Sequence, residues 1–147
     1  MRFFDRTEEI ASLREIRKSA KENAQFTVVT GRRRIGKTSL VWKAYEDEPI
    51  LYFFVARKVY SDMQRIWDMY SPKARINLIV CGSIYSMMTK IFKDKKEPLY
   101  NRQTRFMSVR PFTPTVLKEI LAEYRPGYTA EDLLALYSFT GGVAKYV

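Results

Sequence analysis

The chain has 147 residues, of which 46% are hydrophobic and 29% charged, and a net charge of +10; this composition is that of a folded domain and excludes disordered and fibrous classes. Cys81 is the only cysteine and histidine is absent, so an internal disulfide, a cysteine metal cluster and histidine acid–base catalysis are excluded. No apolar run approaches the roughly 18 residues of a membrane helix, and MRFFDRTEEI has acids where a signal peptide is apolar, so we expect a cytoplasmic protein with no membrane contact.

The first part of the chain alternates helix and strand patterns. Thr7 is predicted to cap an amphipathic helix over residues 7–23, with two glutamates in its first turn. The β-branched stretch Phe26–Thr30 is typical of a buried parallel strand. Residues 37–45 have one apolar face and predict a second helix. Ile50–Ala56 is apolar without alternation, as in a strand covered on both faces.

The rest of the chain continues this alternation. Ser61 and Gln64 match a capping box, which predicts a helix ending near Tyr70, and the run Ile76–Cys81 predicts another strand. The later elements are predicted as a helix over 84–92, a strand over 106–109, and helices over 115–124 and 130–139, the last capped by Thr129. Together they predict an α/β domain with a mostly parallel sheet that binds ligands at its carboxyl edge.

The positive charge is concentrated in the middle of the chain. Residues 57–110 carry 12 Lys or Arg against 4 Asp or Glu, whereas residues 1–56 carry 11 against 8 and residues 111–147 carry 3 against 4. A basic face of this kind attracts nucleic acid, nucleotide phosphates or an acidic protein partner. The alternative is a solvated surface whose acidic neighbours lie on another chain.

The stretch GRRRIGKT, Gly31–Thr38, has the spacing of a phosphate-binding loop, and it lies between a predicted strand and a predicted helix. Its two glycines allow successive backbone N–H groups to surround a β-phosphate. Lys37 would reach the β- and γ-phosphates, and the Thr38 hydroxyl would bind Mg²⁺. The alternative is a tight turn with a solubilising lysine. The remaining candidate contacts in and after the loop are Arg32, Arg33, Arg34, Ile35 and Ser39, although such variable positions usually face solvent.

Six blocks of the sequence, in the same order, resemble the prokaryotic AAA+-like ATPases, often called archaeal-type ATPases, which are related to the STAND NTPases. The blocks are FFDRTEEIASL, VVTGRRRIGKTSL, LYFFVARK, INLIVCGSIYSMM, EPLYNR and YSFTGGVAKYV. The resemblance implies a three-layer P-loop NTPase domain over 1–112 that binds ATP and Mg²⁺. It also implies a small helical lid over 113–147, shorter than in family members, which often continue into another domain. Self-association stays an open possibility.

The resemblance also implies roles for particular residues. Gly31, Gly36, Lys37 and Thr38 match the phosphate loop. Asp5 and Arg6 match an N-terminal box near the adenine, Ser83 matches the sensor position, and Arg102 matches the arginine of a P-L-Y-G-R segment. The chain departs from the family at Asn101, where glycine is usual, and at Ala144, where proline is common. The alternatives are local pairing for Asp5, a helix cap for Ser83 and a surface charge for Arg102.

The acidic strand that hydrolysis requires, the Walker B strand, is not found in this sequence. It would consist of several apolar residues followed by an acid that holds Mg²⁺. The predicted strands instead run into Ala56-Arg57, Gly82-Ser83 and Arg110-Pro111. Asp68 follows only two apolar residues inside a predicted helix, and the acids of YEDEPI precede their strand.

Comparison with the family locates this gap between about Lys58 and Met63, where family members carry a long segment with the acidic strand. We therefore predict a sheet of about four strands in which strands 50–56 and 76–81 become neighbours.

Two functions are consistent with the sequence. One is an ATPase in which Lys37, Mg²⁺ on Thr38, Ser83 and Arg102 stabilise the transferring phosphoryl group. The other is a module that holds ATP or ADP without turnover and serves as an interaction surface. Nucleic-acid binding through residues 57–110 is a third candidate, but no recognition motif accompanies the charge. The sequence predicts ATP binding, with hydrolysis weak or absent.

Overall fold

The computed structural model describes residues 4–52 and 59–147. No helix within these ranges is long and apolar enough to cross a lipid bilayer. The helices and strands, in chain order, are α1 Thr7–Ala20, β1 Gln25–Thr30, α2 Lys37–Ala44, α3 Tyr60–Tyr70, β2 Asn77–Gly82, α4 Tyr85–Lys93, β3 Arg105–Ser108, α5 Pro114–Tyr124 and α6 Ala130–Thr140.

The described strands form a parallel sheet of three in the order β2-β1-β3. The register places Val28 of β1 opposite Val80 of β2 and Phe106 of β3. β1 is central, and its residues from Phe26 to Thr30 are buried because helices cover both faces. The predicted α/β class with a parallel sheet is therefore confirmed.

Alternate side chains of the sheet enter two different cores. On one face, Val29 packs with Leu13 of α1 and Leu40 of α2, and Ile79 and Met107 lie against this core. On the other face, aromatic residues dominate: the Phe26 ring lies 5.0 Å from that of Trp67 in α3 and 5.5 Å from that of Phe92 in α4. The period of two along each strand thus determines which helices each strand residue meets.

The last two helices form a small unit of their own around Phe112, Val116 and Leu117. Thr113 caps α5 at the Val116 N–H, with Pro114 in the first turn. Thr129 caps α6 as predicted, in a reciprocal capping box with Asp132. The Thr129 N–H and hydroxyl bonds hold the pKa of the Asp132 carboxyl below its ordinary value.

The predicted strand Ile50–Ala56 is not observed at its start. Residues 50–52 are irregular and exposed, Leu51 to 86%, and residues 53–56 lie outside the described residues. The predicted pairing of 50–56 with 76–81 is therefore not observed at residues 50–52, because the described neighbour of β2 is β1. Residues 50–52 pair with no described strand.

Two predicted helix caps are wrong. Thr7 is the first residue of α1, whose N-cap is Arg6, since contacts of the Arg6 side chain fix the chain there. Ser61 lies inside α3, which begins at Tyr60 with Val59 as its N-cap and no side-chain cap, because Tyr60 packs into the aromatic core. α1 also ends at Ala20, three residues before its predicted end, because a turn follows and leads into β1.

Candidate functional site

The phosphate-loop sequence lies at the carboxyl end of the central strand. β1 ends at Thr30, Gly31 begins the loop, and α2 begins at Lys37. Gly82, the last residue of β2, lies opposite Thr30, and Ser108, the last of β3, pairs with Thr30 on its other side. The loop therefore lies where parallel α/β sheets bind their ligands.

Both motif glycines have backbone conformations that other residues rarely adopt. Gly31 has φ +149°, and a Cβ there would lie 2.5 Å from the carbonyl oxygen of Val109, just after β3. Gly36 has φ +92° and is the N-cap of α2, to which it offers no side-chain cap. The first-turn N–H groups of α2 are thus free of a side-chain cap, as in helix ends that bind anions.

The Lys37 ammonium is held inside the loop. Its Nζ donates hydrogen bonds of 2.8 Å to the carbonyl oxygens of Gly31 and of Arg32. Burial lowers the pKa of Lys37, and the nearby Cys81 opposes this shift. Cys81 is exposed as a residue, yet protein atoms around its thiol raise the thiol pKa, while Lys37 opposes that rise. The ammonium is therefore held by the loop carbonyls and is close enough to Cys81 for the two charges to interact.

Thr38 and Ser39 are exposed in the first turn of α2 and line an open cavity of about 420 Å³ with Trp42, Lys43 and Glu46. Glu46 is the carboxylate of this cavity. It pairs with Lys43 at 2.6 Å and Arg14 at 3.5 Å, and the Lys43 hydrogen bond chiefly holds its pKa below the ordinary value. Glu46 follows the end of α2 at Ala44, and its carboxylate is already engaged by these two cations.

The variable loop positions have different surroundings. Ile35 is buried in the core under α1 and α2, whereas Arg33 is exposed. Arg34 donates a hydrogen bond to the Tyr146 hydroxyl and stacks on its ring at 5.6 Å, and its carbonyl accepts the Lys145 N–H. The chain end thus folds back onto the loop. Sequence reasoning missed this contact, because no local pattern links residues so distant in the chain.

Three of the other predicted site residues lie at the same edge of the sheet. Ser83 is exposed directly after β2, and the N-cap of the following helix is Ile84, so Ser83 does not cap α4. Asp5 is exposed with φ +37°. Arg6 is buried; it donates to the carbonyl of Arg110 at 2.8 Å and lies 4.9 Å from the Phe112 ring centre. These contacts brace the start of α1 against the chain after β3.

Arg102 lies at the opposite edge of the sheet. Nearby Thr104 donates its N–H to the carbonyl of Phe26, near the start of β1, about 13 Å from Thr30 along the strand. The Arg102 guanidinium forms bonds of 2.7 and 3.0 Å to the two oxygens of Asp68, and these bonds raise its pKa. The structure does not bring Arg102 to the phosphate loop.

The donor set fits phosphate better than it fits a metal ion. A lysine ammonium and uncapped helix N–H groups converge on the loop, and the buried Thr30 hydroxyl, one residue earlier, has no hydrogen-bond partner in the described structure. Within residues 4–52 and 59–147, no group of three or more Asp, Glu, Cys or His side chains could hold a metal. The described site therefore offers Mg²⁺ the Thr38 hydroxyl without an acidic cluster.

Comparison with known proteins gives one informative relative. No family model matches the chain, and no solved structure matches it with significance. An uncharacterized protein of Methanocaldococcus jannaschii, MJECL04, is 27% identical over 195 positions, which cover 99% of this chain and 43% of the relative. The chain thus spans less than half the length of this relative. The matched span exceeds the 147 residues of the chain by 48 positions, so the relative has residues there without a counterpart here.

Proposed function

We propose that the chain is a cytoplasmic ATP-binding domain of the AAA+-like P-loop type, with little or no hydrolysis of its own. One observation carries the proposal: a lysine ammonium anchored to two loop carbonyls, at the uncapped start of a helix that follows the central strand of a parallel sheet. A phosphate chain entering the loop would meet this cation and the first-turn N–H groups together.

The residues around the loop have separate roles in this proposal. Gly31 and Gly36 keep the backbone in the required conformation, and Ile35 anchors the loop to the core. Lys37 binds the β- and γ-phosphates, and Thr38 offers its hydroxyl to Mg²⁺, which would supply charge neutralisation when bound. Ser83 lies at the adjacent strand end, where its hydroxyl can approach the terminal phosphate. Arg6 and Arg102 act in folding, because each guanidinium is already bound to protein partners.

Turnover is expected to be weak because the acid that would hold Mg²⁺ and its water is missing from the described site. Lysine and helix N–H groups bind phosphate through charge and need no acid. Hydrolysis therefore needs an acid in addition to the phosphate-binding groups, and the residues that the structure describes supply only those groups.

A titration with a fluorescent ATP analogue tests the proposal. We expect saturable binding that Lys37→Ala weakens by about tenfold or more, since a charged hydrogen bond to phosphate is lost. Lys118→Ala is the control, because Lys118 is an exposed lysine of α5 that does not line the cavity beside Thr38; it should leave the affinity unchanged. Equal affinity for wild type and Lys37→Ala would contradict the proposal. Phosphate release that Lys37→Ala abolishes would show that the chain hydrolyses ATP after all.

A further inference from the structure

A second open cavity lies on the outer face of α4. It has a volume of about 500 Å³ and is lined by residues of the helix and its end: Tyr85, Ser86, Thr89, Lys90, Lys93 and Asp94. The buried residues of α4 pack on the other side of the helix, in the aromatic core. None of the lining residues belongs to the phosphate loop or to the cavity beside Thr38. This cavity is therefore separate from the candidate nucleotide site.

Positive charge is concentrated around this cavity. Residues 90–105 carry six Lys or Arg against two Asp or Glu. Asp94 lines the cavity and accepts the N–H of Lys96 at 3.0 Å, so the turn that carries these residues lies at its end. Four exposed basic residues of the stretch form no ion pair within the described chain: Lys93, Lys95, Lys96 and Arg105. The cavity therefore has a strongly cationic border.

Helix electrostatics account for only part of this charge. Lys90 and Lys93 lie in the last turn of α4, where cations interact favourably with the helix dipole. That effect falls off within the last turn, so it does not explain Lys95, Lys96 or Arg105, which follow the helix. Like charges held together repel one another, and a bound polyanion would relieve this repulsion.

Aromatic rings and hydroxyl groups lie among these cations. The Tyr85 side chain is 55% exposed, and its ring meets that of Phe106 in β3 at a centroid distance of 6.4 Å and an angle of 87°. The Lys93 ammonium lies 4.8 Å from the centre of the Phe106 ring. The Thr89 hydroxyl is buried without a hydrogen-bond partner in the described structure, although such groups are usually paired. Exposed rings beside cations are the arrangement on which unpaired bases stack while their phosphates meet the positive charges.

These features favour single-stranded nucleic acid over other partners. Lysines attract any polyanion, but an exposed Tyr85 ring adds affinity only for a ligand with flat rings of its own. A duplex keeps its bases stacked on one another, whereas a single strand can turn them onto a side chain. A second copy of the chain carries the same charge of +10 and is repelled.

We propose that the outer face of α4, together with the turn that follows it, binds single-stranded nucleic acid. The phosphates of the strand lie along Lys90, Lys93 and Lys96, and one base stacks on the Tyr85 ring. This activity goes beyond the proposed nucleotide binding and does not depend on it, because the two sites share no residue.

Fluorescence anisotropy with labelled single strands of mixed sequence, one DNA and one RNA of about 20 nucleotides, tests the proposal without ATP. We expect saturable binding of at least one strand, weaker at about 200 mM salt than at about 50 mM. Joint substitution of Lys93→Gln and Lys96→Gln should weaken binding by about tenfold at the lower salt. It should also reduce the slope of log affinity against log salt by about 1.4, since two phosphate contacts are lost. Lys18→Gln with Lys118→Gln removes the same charge from exposed positions of α1 and α5 and should change the affinity by less than about twofold.

Tyr85→Ala tests the stacked base. It should weaken binding of the single strand by about fivefold or more without changing the salt slope, because no charge is removed. A DNA duplex should bind more weakly than the single strand and be insensitive to this substitution. Tyr137→Ala, at a ring of α6 that is 43% exposed, is the control and should have no effect. If Tyr85→Ala lowers the melting temperature, Tyr85→Leu removes the ring and keeps an apolar contact with Phe106.

Several results would overturn the proposal. One is the absence of saturable binding to both strands, and another is an equal loss from the two lysine pairs, because affinity would then reflect net charge alone. Duplex binding as tight as that of the single strand, or no effect of the Tyr85 substitutions, would remove the stacked base. Polyglutamate that displaces the strand as well as unlabelled oligonucleotide does would identify an acidic protein as the partner instead. Lys37→Ala should leave binding unchanged, and a tenfold loss would place the strand on the phosphate loop.

Discussion

The two flanks of the phosphate loop are built differently. On the β3 flank, Gly31 lies against the Val109 carbonyl and buried Arg6 holds the Arg110 carbonyl. The chain end packs there as well, with the Gly142 carbonyl accepting the Phe112 N–H at 2.8 Å. On the β2 flank, Cys81 and Ser83 are exposed. The loop is thus shaped by main-chain contacts on the β3 flank, whereas the described residues at the end of β2 are exposed. Substitutions on the two flanks should therefore lower the free energy of unfolding by different amounts.

The largest loss of unfolding free energy is expected from a substitution at Gly31. Gly31→Ala combines an unfavourable φ with a Cβ 2.5 Å from a main-chain oxygen, so the free energy of unfolding should fall by about 3 kcal/mol. Urea denaturation measures this. Gly127→Ala is the control, because Gly127 has φ +87° but no atom within 4 Å of a Cβ, and it should lose only about 1 kcal/mol. Equal losses at the two positions would show that the close approach to Val109 costs nothing.

The second-largest loss of unfolding free energy is expected at Arg6. Arg6→Ala leaves the Arg110 carbonyl without its donor and removes the contact with the Phe112 ring, for a loss of about 2 kcal/mol in unfolding free energy. Arg33→Ala, at an exposed loop position, should change stability by less than about 0.5 kcal/mol. If Arg6→Ala were as mild as Arg33→Ala, the β3 flank would not depend on this brace.

The proximity of Lys37 to β2 has a smaller, kinetic consequence. The ammonium lowers a thiol pKa that burial has raised, so Lys37→Met should raise the Cys81 pKa further and reduce the thiolate present near pH 8. The reaction of Cys81 with a thiol reagent should slow by about threefold, and the difference should vanish at a pH above both pKa values. Lys43→Met provides the comparison. Faster reaction after Lys37→Met at pH 8 would mean that Lys37 screens Cys81 sterically instead.

The smallest effect on stability is expected on the β2 flank. Ile66→Gln replaces an exposed side chain, so the free energy of unfolding should change by less than about 0.5 kcal/mol. Leu134→Gln, at a side chain of α6 that is 66% exposed, should change the free energy of unfolding by a similarly small amount. A large loss of stability from Ile66→Gln would place this side chain in the folded core and remove it from the open flank.

Local patterns predicted most elements well. The cap at Thr129 formed as expected because its partner, the Asp132 N–H, lies only three residues away. The glycine spacing placed the turn between β1 and α2 because the required φ values are local properties. The predicted cap at Ser61 was wrong because packing of Tyr60 set the start of α3. The predicted strand Ile50–Ala56 is not formed at residues 50–52, which are exposed and pair with no described strand.

In the candidate site, too, local patterns predicted some positions and long-range contacts decided others. Lys37, Thr38 and Ser83 could be placed at one sheet edge from sequence, because each follows a strand or begins a helix. The positions of Arg6 and Arg102 could not. Their guanidinium groups bind the Arg110 carbonyl and the Asp68 carboxylate, partners 104 and 34 residues away, and no short-range pattern records such distances.

The sequence by itself determined the alternation of helices and strands, the glycine turns and the loop that ends in Lys37, because backbone sterics and hydrophobic period act over a few residues. Only the tertiary structure decided that β1 is central among the described strands, that Arg102 lies far from the loop, and that Tyr146 returns to Arg34. These features depend on which distant surfaces bury one another best, a competition that involves the whole described chain.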